Sequence, residues 1–208
     1  MDLTPNPAAA GFDAGRLARI DEHFRSVYVD TGKVAGFQIV VGRHGHVAHR
    51  ITAGSMDLET QEALDDQAIW RWYSMTKPVT SVALLSLVEQ AKVKLTDPIH
   101  RFLPEWRDVK VSVRRADGTF ELVDTERPIS VKHALMHMTG IGPGPKEARL
   151  DFAGLVSGNA RSLDPAATLA DLSRLLASEP LRFQPGAHWF YSWSSDICGR
   201  LEIGRAHV

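Results

Sequence analysis

Trp72-Tyr73-Ser74-Met75-Thr76-Lys77-Pro78 decides how this chain is read. It contains S-x-x-K and opens a long apolar segment, Pro78 to Val88. If that segment is a helix, Ser74 and Lys77 fall one turn apart on the same face. A serine hydroxyl is a poor nucleophile at neutral pH. A lysine one turn on, partly desolvated, can lose its charge and help to take the serine proton. Val79, Val82, Ala83, Leu84, Leu85, Leu87 and Val88 cover nearly all faces of the segment, which predicts a buried helix. Pro78 fits only near the start of a helix, so Ser74 belongs at or just before its N-terminus. The positive end of the helix dipole then favours negative charge developing near Ser74.

Upstream, residues 1–11 read as a loose leader, and Phe12 to Thr31 as an amphipathic helix with Asp13 as N-cap. Gly36 to Val41 and His46 to Thr52 read as strands around a Gly42–Gly45 turn. Downstream, Ile99 to Trp106 is a short helical or irregular piece. Val109–Val113 and Phe120–Val123 form a small hairpin. Ser130 caps a helix expected to run through Met138, ended by Gly140. Residues 141–162 are expected to form a long surface loop. Asp164-Pro165 is the expected N-cap and N1 pair of a helix reaching Ala177. Gln184-Pro185-Gly186 turns the chain into Trp189-Phe190-Tyr191-Ser192-Trp193, and Ser195 or Asp196 starts another helix.

Several ordered motifs agree. They are the Ser74 stretch, Ala91 to Pro98, Phe102-Leu103-Pro104-Glu105-Trp106, Ile129 to Gly140, and Phe183-Gln184-Pro185-Gly186 leading to Tyr191-Ser192. Together they resemble the serine-hydrolase family of class C β-lactamases, DD-peptidases and β-lactamase-like esterases. The resemblance covers most of residues 10–201. It implies an α+β fold: an antiparallel sheet flanked by helices, plus a mainly helical subdomain, with the site between these parts. It also implies roles. Ser74 matches the acylated nucleophile, Lys77 its proton-shuttling partner, and Tyr191 the tyrosine of the Y-x-N motif. A phenol beside an ammonium has its pKa lowered and can exchange protons with the serine or the leaving group. The Ser74 backbone N–H would form half of an oxyanion hole.

Two departures bear on substrate and completeness. The third position of Y-x-N is Trp193 rather than asparagine. An indole offers one donor and a large apolar face in place of an amide. This favours the esterase branch, with Trp193 and Trp189 as candidate substrate-binding residues, over lactam hydrolysis. The later K-T-G or H-x-G strand motif does not occur. The expectation is that residues 12–201 are the N-terminal part of the domain and that the closing strands are missing. A chain without them would expose a sheet edge and be poorly folded or inactive by itself. The last residues, Glu202 to Val208, can be encoded by a base string that opens a common short-read sequencing adapter. That predicts a non-native tail at 202–208.

Composition narrows the partners. The chain has 208 residues, 44% hydrophobic and 24% charged, with a formal net charge of −1. Dispersed Lys and Arg give no reason to expect nucleic acid or an anionic membrane. The N-terminus shows no signal peptide, and no apolar run reaches the ~20 residues of a span. A cytoplasmic location is the default. The expected partner is a small-molecule ester or amide substrate, and no metal or organic cofactor is implied. His44, His46 and His49 lie around a hairpin turn, but no cysteine or carboxylate cluster completes a zinc-type set. Trp72 and Tyr73 read as core, His137 as structural, and the single cysteine, Cys198, as a buried small hydrophobe. The G-x-S-x-G elbow of α/β-hydrolases does not occur, which argues against that fold.

Overall fold

The computed structural model describes residues 3–142 and 166–206. The chain divides into two compact units, Met1–Arg71 and Trp72–Val208. The expected 141–162 loop and the Asp164-Pro165 cap fall almost wholly outside the described residues.

In the first unit, α1 spans Ala14–Phe24, and the Asp13 carboxylate accepts from the Arg16 N–H at 2.8 Å. The cap is as expected, but α-geometry does not reach Thr31. The chain widens at Arg25–Val29 into a π-turn, with the Asp30 N–H reaching back to the Arg25 carbonyl. Hydroxyls there compete for the ladder. Ser26 donates to the Glu22 carbonyl and Thr31 to that of Val27, both at 2.7 Å. The Phe24 and Tyr28 rings stack within this turn at 5.3 Å.

Strands β1 (Gly36–Arg43) and β2 (His46–Gly54) pair antiparallel, with a register shift at Val41/Gly42. The loop is shorter than expected. His44 (φ 52°) and Gly45 (φ 76°) are both left-handed, the two-residue geometry that matches strand twist. The expected leader is not loose. The Asn6 N–H donates to the Val47 carbonyl at 2.7 Å, and Ala10 is buried with Leu17 and Ala48.

In the second unit, a 3-10 turn at Tyr73–Met75 leads into α2 (Thr76–Glu89). Ser74 therefore lies just before the helix, and Pro78 sits in its first turn. Only Leu84 and Leu87 of α2 are buried, whereas Val79, Val82 and Leu85 are exposed. The all-round burial read from the sequence is thus corrected. Among the described residues one flank of α2 is covered, mainly by α5 (Ser194–Ala206).

The expected short helical or irregular piece is a pair of 3-10 turns, Ile99–Arg101 and Pro104–Trp106. Strands β3 (Lys110–Arg114) and β4 (Phe120–Asp124) form the predicted hairpin. Beside β3, Leu181 exchanges backbone bonds with Lys110 and Ser112, both at 2.8 Å. Helix α3 (Val131–Leu135) starts with a reciprocal capping box between Ser130 and His133. It stops short of Met138 because His137 turns left-handed (φ 54°). Gly140 (φ 84°) then passes so close to Phe183 that a Cβ there would lie 2.5 Å from the Phe183 carbonyl oxygen.

Helix α4 (Leu169–Ala177) is capped by Thr168 and Asp171, whose side chains each bond the other's backbone N–H. The Thr168 hydroxyl also donates to the Asp171 carboxylate at 2.6 Å, and this bond first, then the Thr168 N–H and Arg174, bring that carboxyl down to about 2. The core joins Leu84, Leu87, Ile99, Leu103, Trp106, Ile129, Val131, Leu176, Leu181, Ile197 and Leu201. Trp106 anchors it. Its indole N–H donates to Ser173 Oγ at 3.0 Å, and that hydroxyl donates to Glu105 at 2.6 Å. Among the described residues no helix is long and apolar enough to cross a membrane.

Candidate active site

Every candidate residue taken from the sequence lies in the second unit. Tyr73, immediately before Ser74, holds φ 47°. A left-handed bulky residue costs on the order of 1–3 kcal/mol and persists only where surrounding structure imposes it. Here it sets the 3-10 turn that presents Ser74 at the mouth of a hollow.

Two donors converge on one oxygen. Lys77 Nζ donates to Ser74 Oγ at 3.1 Å, and Tyr191 Oη donates to the same Oγ at 2.9 Å. The Lys77 ammonium also lies 4.8 Å from the centre of the Tyr191 ring. Ser74 and Lys77 come together through helical spacing. Tyr191 arrives from far along the chain, on the segment that enters α5. The Tyr191 phenol is lowered below the ordinary tyrosine value, chiefly by its hydrogen bond with Lys77 and then by that with Ser74. A site able to exchange a proton between phenol, ammonium and hydroxyl is suited to acyl transfer.

The hollow holds about 320 Å³ and is lined by Tyr73, Ser74, Lys77, Tyr191, Ser192, Trp193 and Asp196. Trp193 is thus a wall residue, and its half-buried ring also packs on the core. Trp189 does not line the hollow. It is exposed, and its ring centre lies 6.4 Å from that of Tyr191.

Tyr73 is the reverse case. Expected in the core, it is 80% exposed at the hollow. Trp72 is half exposed too. Apolar type suggests burial for both, and the left-handed turn overrides it. Asp196, which the sequence marks only as a helix start, is part of the lining of the hollow. Burial raises its pKa, while Lys77 acts to lower it. Its place in the first turn of α5, the helix that directly follows the Tyr191 segment, is the available signal.

Behind Tyr191 the polar groups are paired. Thr139 Oγ1 and Ser194 Oγ lie 2.9 Å apart, and the Ile141 N–H donates to Thr139 Oγ1 at 3.1 Å. Cys198 is buried, and burial together with Asp196 pushes its thiol up to about 12, which removes it as a nucleophile. His49 is engaged by Asp21 at 2.6 Å. Among the described residues no group of three or more His, Cys, Asp or Glu could hold a metal ion.

Known proteins resemble this chain in sequence and fold. The family model described as Beta-lactamase matches residues 20–201. Esterase EstB of Burkholderia gladioli is 33% identical over 201 residues, covering 94% of this chain and 47% of that protein. The solved structure of EstCE1, described as a hydrolase with promiscuous acyltransferase activity, superposes with a TM-score of 0.72 at 25% identity. That match covers 93% of this chain and 48% of that one. Unliganded simvastatin synthase (LovD) from Aspergillus terreus shares the fold at 21% identity and a TM-score of 0.70, over 94% of this chain and 50% of its own. The chain therefore spans about half the length of these relatives. The α+β fold, the ordered motifs and the family match over residues 20–201 agree, and the chain belongs to the Beta-lactamase family.

Proposed function

We propose that the whole protein is a serine hydrolase of the carboxylesterase type, acting on small-molecule esters through an acyl-enzyme on Ser74. The observation that carries this is the approach of Lys77 and Tyr191 to one Ser74 oxygen, at 3.1 and 2.9 Å. In this reading the Lys77–Tyr191 pair takes the Ser74 proton as Oγ attacks the ester carbonyl. The pair returns a proton to the departing alkoxide, and water then attacks the acyl carbon to release the acid. The Ser74 backbone N–H serves as one oxyanion donor. Each proton is moved by a side chain of the site, so the scheme assigns no cofactor. Trp193 forms an apolar wall for the acyl or alcohol part.

Ester rather than lactam is favoured because Trp193 stands where lactam-processing relatives carry asparagine. An indole cannot supply the carbonyl acceptor and paired donors of an amide side chain. We assign the activity to the whole protein, because this chain spans about half the length of the relatives it matches.

The test is turnover of a p-nitrophenyl ester and a chromogenic cephalosporin by the full-length enzyme, with mass spectrometry of trapped protein. The expected result is ester turnover, an acyl adduct on Ser74, and loss of both in Ser74→Ala. Ester turnover that survives Ser74→Ala would sink the reading. Cephalosporin hydrolysis outpacing ester hydrolysis would move it to the lactam branch. Because the EstCE1 relative is a hydrolase with promiscuous acyltransferase activity, added alcohol should also be tried as acyl acceptor, with new ester as the product to look for.

A further inference from the structure

We propose that His137 is a positioning residue that clamps Tyr191 against Ser74 by holding the chain on both sides of the phenol. The inference rests on the reading of Tyr191 as the proton-moving phenol. The His137 carbonyl accepts from the Phe190 N–H at 2.8 Å. Its ring Nδ1 accepts from the Ser192 N–H at 3.3 Å. Between these two bonds, the imidazole lies over the Tyr191 ring, with centres 4.9 Å apart and planes inclined by 27°. One residue thus fixes the backbone before and after Tyr191 and one face of its ring.

The chemistry selects a single form of the imidazole. A ring nitrogen that accepts from a backbone N–H carries no proton, so the ring proton sits on Nε2. There Ser195 Oγ lies 3.4 Å away, on the first turn of α5. Protonating Nδ1 would destroy the acceptor that holds Ser192. It would also place a second cation near the Lys77 ammonium, which reaches in from α2. The other titratable groups facing this region are the Tyr191 phenol and, on α5, the Asp196 carboxyl of the same hollow. Burial first, and then Lys77, lower the His137 pKa, which keeps the accepting form at neutral pH.

The backbone supports the same assignment. His137 holds φ 54°, a conformation in which His, Asn and Asp are over-represented among non-glycine residues. The left-handed turn ends α3 and aims both the carbonyl and the ring at residues 190–192. Close packing alone would need neither the turn nor an accepting nitrogen.

The test uses full-length protein with ¹⁵N-labelled histidine and ¹³Cζ-labelled tyrosine. In the wild type, His137 should show a bare Nδ1 and a protonated Nε2. It should titrate below the ordinary histidine value of about 6.5. In His137→Ala, the Tyr191 phenol should titrate back toward about 10, and fluorophosphonate labelling of Ser74 should slow by about tenfold or more. His137→Asn keeps an acceptor oxygen near the Nδ1 position and tolerates the left-handed turn, so it should recover most of the Tyr191 shift. His137→Phe keeps an aromatic face without an acceptor and should resemble the alanine variant. If His137→Ala unfolds, the Asn and Phe pair decides the question. An unchanged Tyr191 titration in a folded His137→Ala protein would overturn the clamp, as would rescue by Phe but not Asn. If the wild type itself resists fluorophosphonate, the hydrolase reading fails, while the two titrations still decide the clamp.

Discussion

Lys77→Met should slow acylation of Ser74 roughly a thousandfold while leaving the protein folded. The side chains are similar in length, and Lys77 is only half buried, so little packing is lost. What disappears is the Nζ donor 3.1 Å from Ser74 Oγ and the positive charge beside the Tyr191 ring. The hydrogen bond from Lys77 is the largest cause of the lowered Tyr191 phenol. Its loss therefore acts twice. The donor that holds Ser74 Oγ is gone, and the proton acceptor, Tyr191, holds its own proton to higher pH.

The sign follows from the protonation states. Acylation needs the Tyr191 phenol to have lost its proton, so the rate climbs as pH rises through the phenol's titration. A lowered phenol puts that climb below the ordinary tyrosine range. Without Lys77 the climb should move upward in pH. Second-order rates of fluorophosphonate labelling across pH measure both effects. Labelling of Lys77→Met at the wild-type rate, with the climb unmoved, would remove Lys77 from the mechanism.

The second large effect concerns stability. Trp106→Ala should destabilise the second unit by about 3–5 kcal/mol. The indole is 1% exposed and touches the central core, so truncation leaves a large void. It also takes away the N–H that donates to Ser173 Oγ, a hydroxyl that is fully buried. Trp106→Phe restores most of the ring but not the donor and should cost less, about 1–3 kcal/mol. Urea titration of the three proteins gives the comparison. A cost below about 1 kcal/mol for Trp106→Ala would mean that α4 does not depend on this anchor.

Local rules make much of this molecule legible. Asp13 and Ser130 are readable as caps because each short polar side chain meets a backbone donor within one turn. The Ser74–Lys77 pair is readable because helical spacing fixes it. Tyr191 comes only through the motif resemblance, since nothing local says that a residue so distant in sequence meets Ser74. Tyr73 and Trp72 mislead because residue type argues for burial, whereas a left-handed backbone turns Tyr73 outward. The end of α1 misleads because apolar periodicity continues through Val27 although Ser26 and Thr31 hydroxyls loosen the ladder. Asp164 draws the eye as a cap, yet Thr168 with Asp171 three residues on is itself a capping signature. Burial around α2 is overestimated because apolar content says how much surface a helix wants covered, not what covers it.

Cys198 gives the experimenter a built-in reporter. It is the single cysteine of the chain, 1% exposed in α5 beneath the core, with its thiol held at about 12. Maleimide chemistry needs an accessible thiolate, and the native molecule offers neither access nor ionisation. A brief maleimide pulse should therefore mark only molecules whose α5 has come away, and the mass shift counts them one by one. Opening of the helix that follows the Tyr191 segment becomes measurable in untouched sequence, without a dye or an added residue.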